Sequence, residues 1–177
     1  FEAVTALSNN TTYWWRVRAK DPNGSNQWGT WSNAQSFTVD TATTISTWYQ
    51  TTQEQFDTNT HVNTQATTTD DVEIVSPATV GTTTASYIDF DWKTIGNAWG
   101  QVSWNDNETS GDIQYHVEYL NGASWELIPD SVLSGNAAGF DTSPVSLLSV
   151  DPITYNQIRL RANLADSGGT PRLLDWT

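Results

Sequence analysis

Between residues 13 and 20 apolar and polar positions alternate strictly. Tyr13, Trp15, Val17 and Ala19 fall on one phase, and Trp14, Arg16, Arg18 and Lys20 on the other. A period of two is that of a strand with one buried face. Asp21-Pro22-Asn23-Gly24 predicts a loop, after which Gln35 to Val39 predicts a returning strand with Phe37 and Val39 inward. Residues 41–52 and 58–69 are rich in Thr, Gln and Asn. They carry too few apolar side chains to bury a face, and predict linker, edge strand or loop.

The alternation then resumes. Val72 and Ile74 mark a short strand; Ile88, Phe90 and Trp92 alternate with Asp89 and Asp91; Val102 and Trp104 alternate with Gln101, Ser103 and Asn105. Ile113, Tyr115, Val117 and Tyr119 alternate with Gln114, His116 and Glu118. Asn121-Gly122 then predicts a hairpin returning through Trp125 and Leu127. Val145 to Val150 is a less regular strand. Ile158, Leu160, Ala162 and Leu164 alternate with Arg159, Arg161 and Asn163, and Ser167-Gly168-Gly169 turns into a last strand, Arg172 to Trp176. That is about eight strands after the linker, with no helical period. The fold class is therefore all-β, most simply an antiparallel, jelly-roll-like β-sandwich over residues 53–177, preceded by a small β unit (1–40) and a Thr-rich linker (41–52).

Composition narrows the function. Of 177 residues, 15% are charged, and the net charge is −13. Seven Lys and Arg against twenty Asp and Glu leave no basic track, so nucleic acid is not an expected partner. Cys and Met are both absent, which excludes disulfide scaffolds, thiol chemistry and cysteine-ligated metals. It also removes the most easily oxidised side chains, in keeping with life outside a cell. No run approaches the roughly 18 apolar residues of a membrane-spanning helix. The chain opens at Phe1 without a signal peptide, so it is expected to be a processed or excerpted piece of a longer product.

Two resemblances follow from particular residues. Leu7, Tyr13 and the run Trp15-Arg16-Val17-Arg18-Ala19 resemble the tyrosine corner and strand F of fibronectin type III domains. Trp28-Gly29-Thr30-Trp31-Ser32 before Ser36-Phe37-Thr38-Val39 resembles the loop and strand G that close such a domain. The resemblance implies an Ig-like partial sandwich whose earlier strands are supplied from outside residues 1–40. It also implies a structural tyrosine corner at Leu7 and Tyr13. The Trp-rich run is similar to the Trp-Ser-x-Trp-Ser ladder of cytokine-receptor fibronectin domains, with Gly29 in place of the first Ser. The second unit resembles a repeated domain found beside fibronectin-type modules in bacterial and archaeal surface proteins. It does so through Val117 to Gly122, Trp125, Ile128 to Ser131, Tyr155, Ile158 to Ala162 and Thr170 to Trp176. This implies a cell-surface location and no defined chemistry.

Candidate chemistry is sparse. His61 and His116, the only histidines, lack a nucleophile motif and read as strand or surface residues rather than general bases. Asp89 and Asp91 share a strand face and could be a carboxylate pair. The plainer reading is a solvated face with Arg159 or Arg161 as cross-strand partners. Trp15, Trp92, Trp104 and Trp125 lie on inward phases and are expected in the core; Trp14, Trp28, Trp31 and Trp99 are out of phase or in loops. Arg16 and Arg18 share the outward face, so an Arg/Trp ladder with Trp28 and Trp31 is expected. The alternative for exposed Trp is stacking on sugar rings. Asp106, Glu108 and Asp112 concentrate carboxylates around a loop, either a candidate Ca²⁺ site or a polar hairpin. No other cofactor is expected. Asn9, Asn10, Asn23 and Asn107 each begin an Asn-x-Ser/Thr sequon, which makes a glycoprotein conceivable.

The expected function is that of a non-catalytic extracellular structural protein. It would be a subunit or repeat of a surface filament, sheath or adhesin, assembling through β-strand edges or strand donation. Its partners would be copies of itself or adjacent domains of the same long chain. The alternative is a carbohydrate-binding β-sandwich module of a secreted enzyme or surface anchor, with glycans as partners.

Overall fold

A computed structural model describes residues 11–21, 24–39, 47–90, 98–109 and 111–177. The chain divides into two compact units, Phe1–Thr44 and Ile45–Thr177. Among the described residues its regular structure is β-strand apart from one helical turn, and the strands form antiparallel sheets. The fold class is thus all-β, as the alternation requires.

The first unit holds a two-stranded antiparallel ribbon, β1 (Thr11–Trp15) with β2 (Gln35–Val39). Tyr13 lies opposite Phe37 and Thr11 opposite Val39, so one face carries Tyr13, Trp15, Phe37 and Val39, as the period predicts. The rings of Tyr13 and Phe37 stack at 5.9 Å. On the reverse face Thr12 and Thr38 share a hydrogen bond of 2.9 Å across the ribbon. Beyond β1 the chain keeps the pairing loosely: Ser32 N–H donates to the Val17 carbonyl (2.7 Å) and Gly29 N–H to that of Ala19 (2.8 Å).

The second unit opens with a single helical turn, α1 (Gln53–Phe56), absent from the sequence expectation. Thr52 caps it by accepting from the Gln55 N–H at 3.4 Å. Its purpose in the fold is Phe56, which is fully buried. The strands β3 (Thr60–Val62), β4 (Thr64–Ala66), β5 (Val72–Ile74), β6 (Val80–Thr84), β7 (Ile88–Asp89), β8 (Gln101–Val102) and β9 (Trp104–Asn107) follow. After them come β10 (Gly111–Asn121), β11 (Ser124–Leu127), β12 (Val145–Ser146), β13 (Gln157–Asp166) and β14 (Arg172–Trp176). A six-stranded sheet runs β11-β10-β13-β6-β3, with β7 also on β13; a four-stranded sheet runs β4-β5-β14-β9; β8 and β12 form a small ribbon.

The inner faces of the two larger sheets form one core. Ile113, Tyr115 and Val117 of β10 and Ile158, Leu160, Ala162 and Leu164 of β13 meet Val72, Trp104, Leu173 and Trp176. Register decides the fit. Tyr115 lies opposite Ala162, and that small neighbour leaves room for Trp104 to stack on Tyr115 at 4.1 Å. The Asn121-Gly122 hairpin is present, with Gly122 at φ +63° as the first of two loop residues. Glycine takes that φ without the Cβ clash other residues meet.

Several expectations shift. The second unit begins at Ile45 rather than at 53. The reason is Gln50, which is buried, exchanges backbone hydrogen bonds with Trp176 and accepts the indole N–H of Trp176 at 2.6 Å. The Thr-rich stretch 58–69 contains edge strands β3 and β4. Polar β6 is a central strand between β13 and β3. Trp99 is core rather than exposed: it packs edge-on against Phe90 and donates to the Tyr155 carbonyl at 2.9 Å. Trp15 is half exposed in place of buried, because nothing described covers its face of the ribbon. Trp125 lies on the outer face of its sheet, with Arg159 stacked on it at 4.4 Å. Trp92 lies outside the described residues.

Candidate functional site

Each unit carries one surface organised beyond what packing requires. In the first unit it is the reverse face of the ribbon. Arg16 lies 4.6 Å over the Trp31 ring; Arg18 lies 4.4 Å from Trp31 and 4.5 Å from Trp28; Lys20 stands 5.6 Å from Trp28. Cations and rings therefore interleave as Arg16, Trp31, Arg18, Trp28, Lys20. Alternation puts the cations on one strand face at even spacing. Ser32 holds the Trp loop in place: its Oγ accepts from the Val17 N–H at 3.0 Å and donates to the Asn33 carbonyl at 3.0 Å. On the opposite face Trp15 (50% exposed), Val17 (59%) and Phe37 (46%) lie open. Tyr13 sits mid-strand on Phe37, while Leu7, the other member of the expected tyrosine corner, lies outside the described residues.

In the second unit the outer face of the six-stranded sheet is concave and polar. An open cleft of about 600 Å³ runs across β3, β6, β13 and β10. One rim is Val62, Asn63 and Val80; the other is the loop residues Ala137 and Ala138. The three spacings between these four strands make this roughly 14 Å across. The floor is the polar phase of the alternation: Thr82, Asp112, Gln114, His116, Arg161 and Asn163.

A hydrogen-bond chain fixes that floor. Thr82 Oγ1 donates to Asn163 Oδ1 (3.1 Å), and Asn163 Nδ2 donates to His116 Nε2 (3.0 Å). The other ring nitrogen, Nδ1, donates to the Asn136 carbonyl at 2.7 Å. Those partners assign the neutral imidazole with its proton on Nδ1. Burial accordingly pushes the His116 pKa below the ordinary histidine value; Arg161 adds to this, while the Asn136 carbonyl and Glu118 oppose it. Asn136 itself is fully buried and completes the sheet edge beside β10. Its Oδ1 accepts from Val117 N–H (2.8 Å), and its Nδ2 donates to the carbonyls of Val117 (2.8 Å) and Ile128 (2.7 Å). The loop can lie this close because Gly139 has φ +93° and no side chain; a Cβ there would come within 2.9 Å of Gln114 Cβ.

Beyond the cleft on the same face sits an ion triplet. Glu118, 4% exposed, accepts from Arg159 Nε (2.7 Å) and Nη2 (2.6 Å) and from Arg161 Nη1 (2.5 Å). Arg161 Nε is buried without a hydrogen-bond partner. Tyr87 and Trp125, ring centroids 6.1 Å apart, stand at the Arg159 end.

This corrects several expected pairings. Arg159 and Arg161 answer Glu118 rather than Asp89 and Asp91, since nine residue pairs of β10 run beside β13 and set Glu118 opposite Arg159. Asp89 instead accepts from Gln157, its partner in the register, and Asp91 lies outside the described residues. His116 is a strand residue of β10, as expected of it, and is buried. His61 is half-buried, with Nε2 at 3.0 Å from the Phe56 carbonyl.

Nor do the three loop carboxylates converge as a Ca²⁺ site. Asp106 Oδ2 accepts from the Tyr115 hydroxyl (2.9 Å), Glu108 Oε1 from the Ile113 N–H (2.7 Å), and Asp112 from Gln114 Nε2 (3.1 and 3.2 Å). Among the described residues no group of three or more His, Cys, Asp or Glu could hold a metal ion. Burial, outweighing the Ile113 hydrogen bond, raises the Glu108 pKa, and the neighbouring Asp106 and Asp112 raise it further.

Asn107 is exposed, with Oδ1 accepting from the N–H (3.1 Å) and hydroxyl (2.6 Å) of Thr109 in its sequon; Asn9, Asn10 and Asn23 lie outside the described residues. No helix among the described residues is long and apolar enough to cross a membrane. Models of known families, curated proteins and solved structures give no match to this chain.

Proposed function

We propose that this chain is a non-catalytic extracellular structural protein. It acts as a subunit or repeat of a surface filament, sheath or adhesin, and joins its neighbours through β-strands of the first unit. One observation carries the reading: the face of the β1–β2 ribbon that holds Trp15, Val17 and Phe37 is apolar and open, with each of the three 46–59% exposed. A two-stranded ribbon is at best marginal in water, and an open apolar face of this kind gains free energy when a neighbour covers it. The reverse face is already occupied by the Arg/Trp ladder, which stiffens the ribbon and directs any added strand to the apolar side. Strands from a neighbouring unit of the same assembly would complete the sandwich. Contacts of that head-to-tail kind generate open filaments.

Sedimentation velocity and negative-stain microscopy of the purified chain over a wide concentration range test this. Concentration-dependent association, abolished by Val17→Asp together with Phe37→Asp, is the expected result. A chain that stays monomeric throughout, with the amides of β1 and β2 protected from hydrogen exchange, overturns the proposal. Intact mass tests the glycoprotein element separately: added hexose-sized increments that vanish in Asn107→Gln would place a glycan there, and a mass equal to that of the sequence removes it.

A further inference from the structure

We infer that the cleft on the outer face of the six-stranded sheet binds a neutral glycan chain, an activity separate from the assembly role of the first unit. Its volume, about 600 Å³, falls within the ordinary range of ligand sites. Its floor is unlike a merely solvated sheet face. Gln114 and Asn163 offer side-chain amides, each with a donor and an acceptor, and Asp112 a carboxylate that accepts, alongside the hydroxyl of Thr82. Adjacent sugar hydroxyls also donate and accept in pairs, so they match this set. The floor is pre-organised as well. Asn163 is held from both sides by Thr82 and His116, and Gln114 is held by Asp112, so little side-chain entropy remains to be lost on binding.

Charge selects against an anionic ligand. Arg161 is the cation among the lining residues, and its Nη1 is already bonded to Glu118 at 2.5 Å, while Asp112 adds a negative charge. A phosphate or uronate would meet Asp112 beside an arginine whose Nη1 already serves Glu118. The face also continues past the cleft. From Asn163 to Arg159 is roughly 13 Å along β13, ending at Tyr87 and Trp125. Arg159 covers Trp125, leaving the Tyr87 ring, 55% exposed, as the open aromatic surface at that end. An aromatic face beside a polar groove takes the apolar C–H face of a sugar ring while the hydroxyls turn to the floor. An extended chain, with hydroxyls along its edge, spans both; a compact single sugar reaches one.

The test uses the full chain in affinity gel electrophoresis and titration calorimetry. The probes are soluble galactomannan, arabinoxylan and mixed-linkage β-glucan, with polygalacturonate as the anionic comparison and a neutral-glycan array for breadth. The expected result is binding to at least one neutral chain and none to polygalacturonate. Ala138→Trp, which fills the cleft from its exposed rim, should weaken binding at least tenfold. Tyr87→Ala should weaken it severalfold for long chains and less for short ones. Both positions are exposed, so near-UV circular dichroism should match the parent. Three results overturn the inference: no neutral glycan bound on any platform, binding unchanged in Ala138→Trp, or preference for polygalacturonate.

Discussion

Asn136 is a side chain doing the work of a strand. β11 ends at Leu127, and the loop next pairs with β10 at Phe140, so the β10 edge between them has no strand partner. The Asn136 amide supplies the donors and acceptor a strand would have offered. In Asn136→Ala the N–H of Val117 loses the acceptor it uses, and the Ile128 carbonyl loses its donor; the Val117 carbonyl retains Ile128 N–H at 3.1 Å. Two buried groups are orphaned, each at about 1–3 kcal/mol, for a total of about 2–6 kcal/mol. That is a large share of the roughly 5–15 kcal/mol that holds a typical domain together. Asn136→Asp separates donors from size. It keeps the acceptor for Val117 N–H but sets an oxygen against two carbonyls, and should cost at least as much as Ala. Urea unfolding followed by Trp fluorescence gives the stability change, and hydrogen exchange at the Val117 amide gives the local opening. If both variants lie within about 0.5 kcal/mol of the parent, the amide is not what closes this edge, and the reasoning fails.

Three other expectations follow. Because the folded-state pKa of His116 lies below its unfolded value, the unfolded chain binds the extra proton first. Stability should therefore fall as pH drops below about 6.5, by at most ~1.4 kcal/mol per pH unit from this group. His116→Gln should flatten that part of the urea-midpoint profile between pH 7 and 5, and an unchanged slope would refute the assignment. Removing Arg18 takes out both central contacts of the ladder, at about 0.5–1 kcal/mol each at an exposed site. Arg18→Ala should speed amide exchange in β1 and β2 without moving the transition of the second unit, whereas Arg18→Lys should retain part of the protection. Trp176→Phe keeps the core aromatic but leaves the buried Gln50 Oε1 without its indole donor, a cost of about 1–3 kcal/mol plus the lost ring volume. The variant should release the 47–58 segment to proteolysis before the core unfolds; equal resistance to the parent would count against this tie.

Alternation alone is enough for the class and the phases. Strict alternation in β10 and β13 can serve only a strand with one buried face, so Ile113, Tyr115, Val117, Leu160 and Leu164 went to the core on pattern alone. The same alternation set Arg16 and Arg18 on one side of β1, and two Trp at close spacing in the following loop made an interleaved stack the simplest packing. Gly122 fixed its hairpin because few other residues take its φ. Tertiary structure decided everything that depends on which strands are neighbours. β6 is central although its side chains are chiefly Thr, because a strand held on both sides by backbone hydrogen bonds needs no apolar period of its own. Glu118 sits between Arg159 and Arg161, and not Asp89, because β10 and not β7 runs the length of β13. The cleft, too, was invisible in one dimension. Gln114 and Asn163 are plain polar positions of the alternation and Thr82 belongs to no such pattern, and only the sheet order sets the three side by side. Periodicity reports which face a side chain takes, a local property of the backbone; what it meets there is set by contacts between residues far apart in the chain.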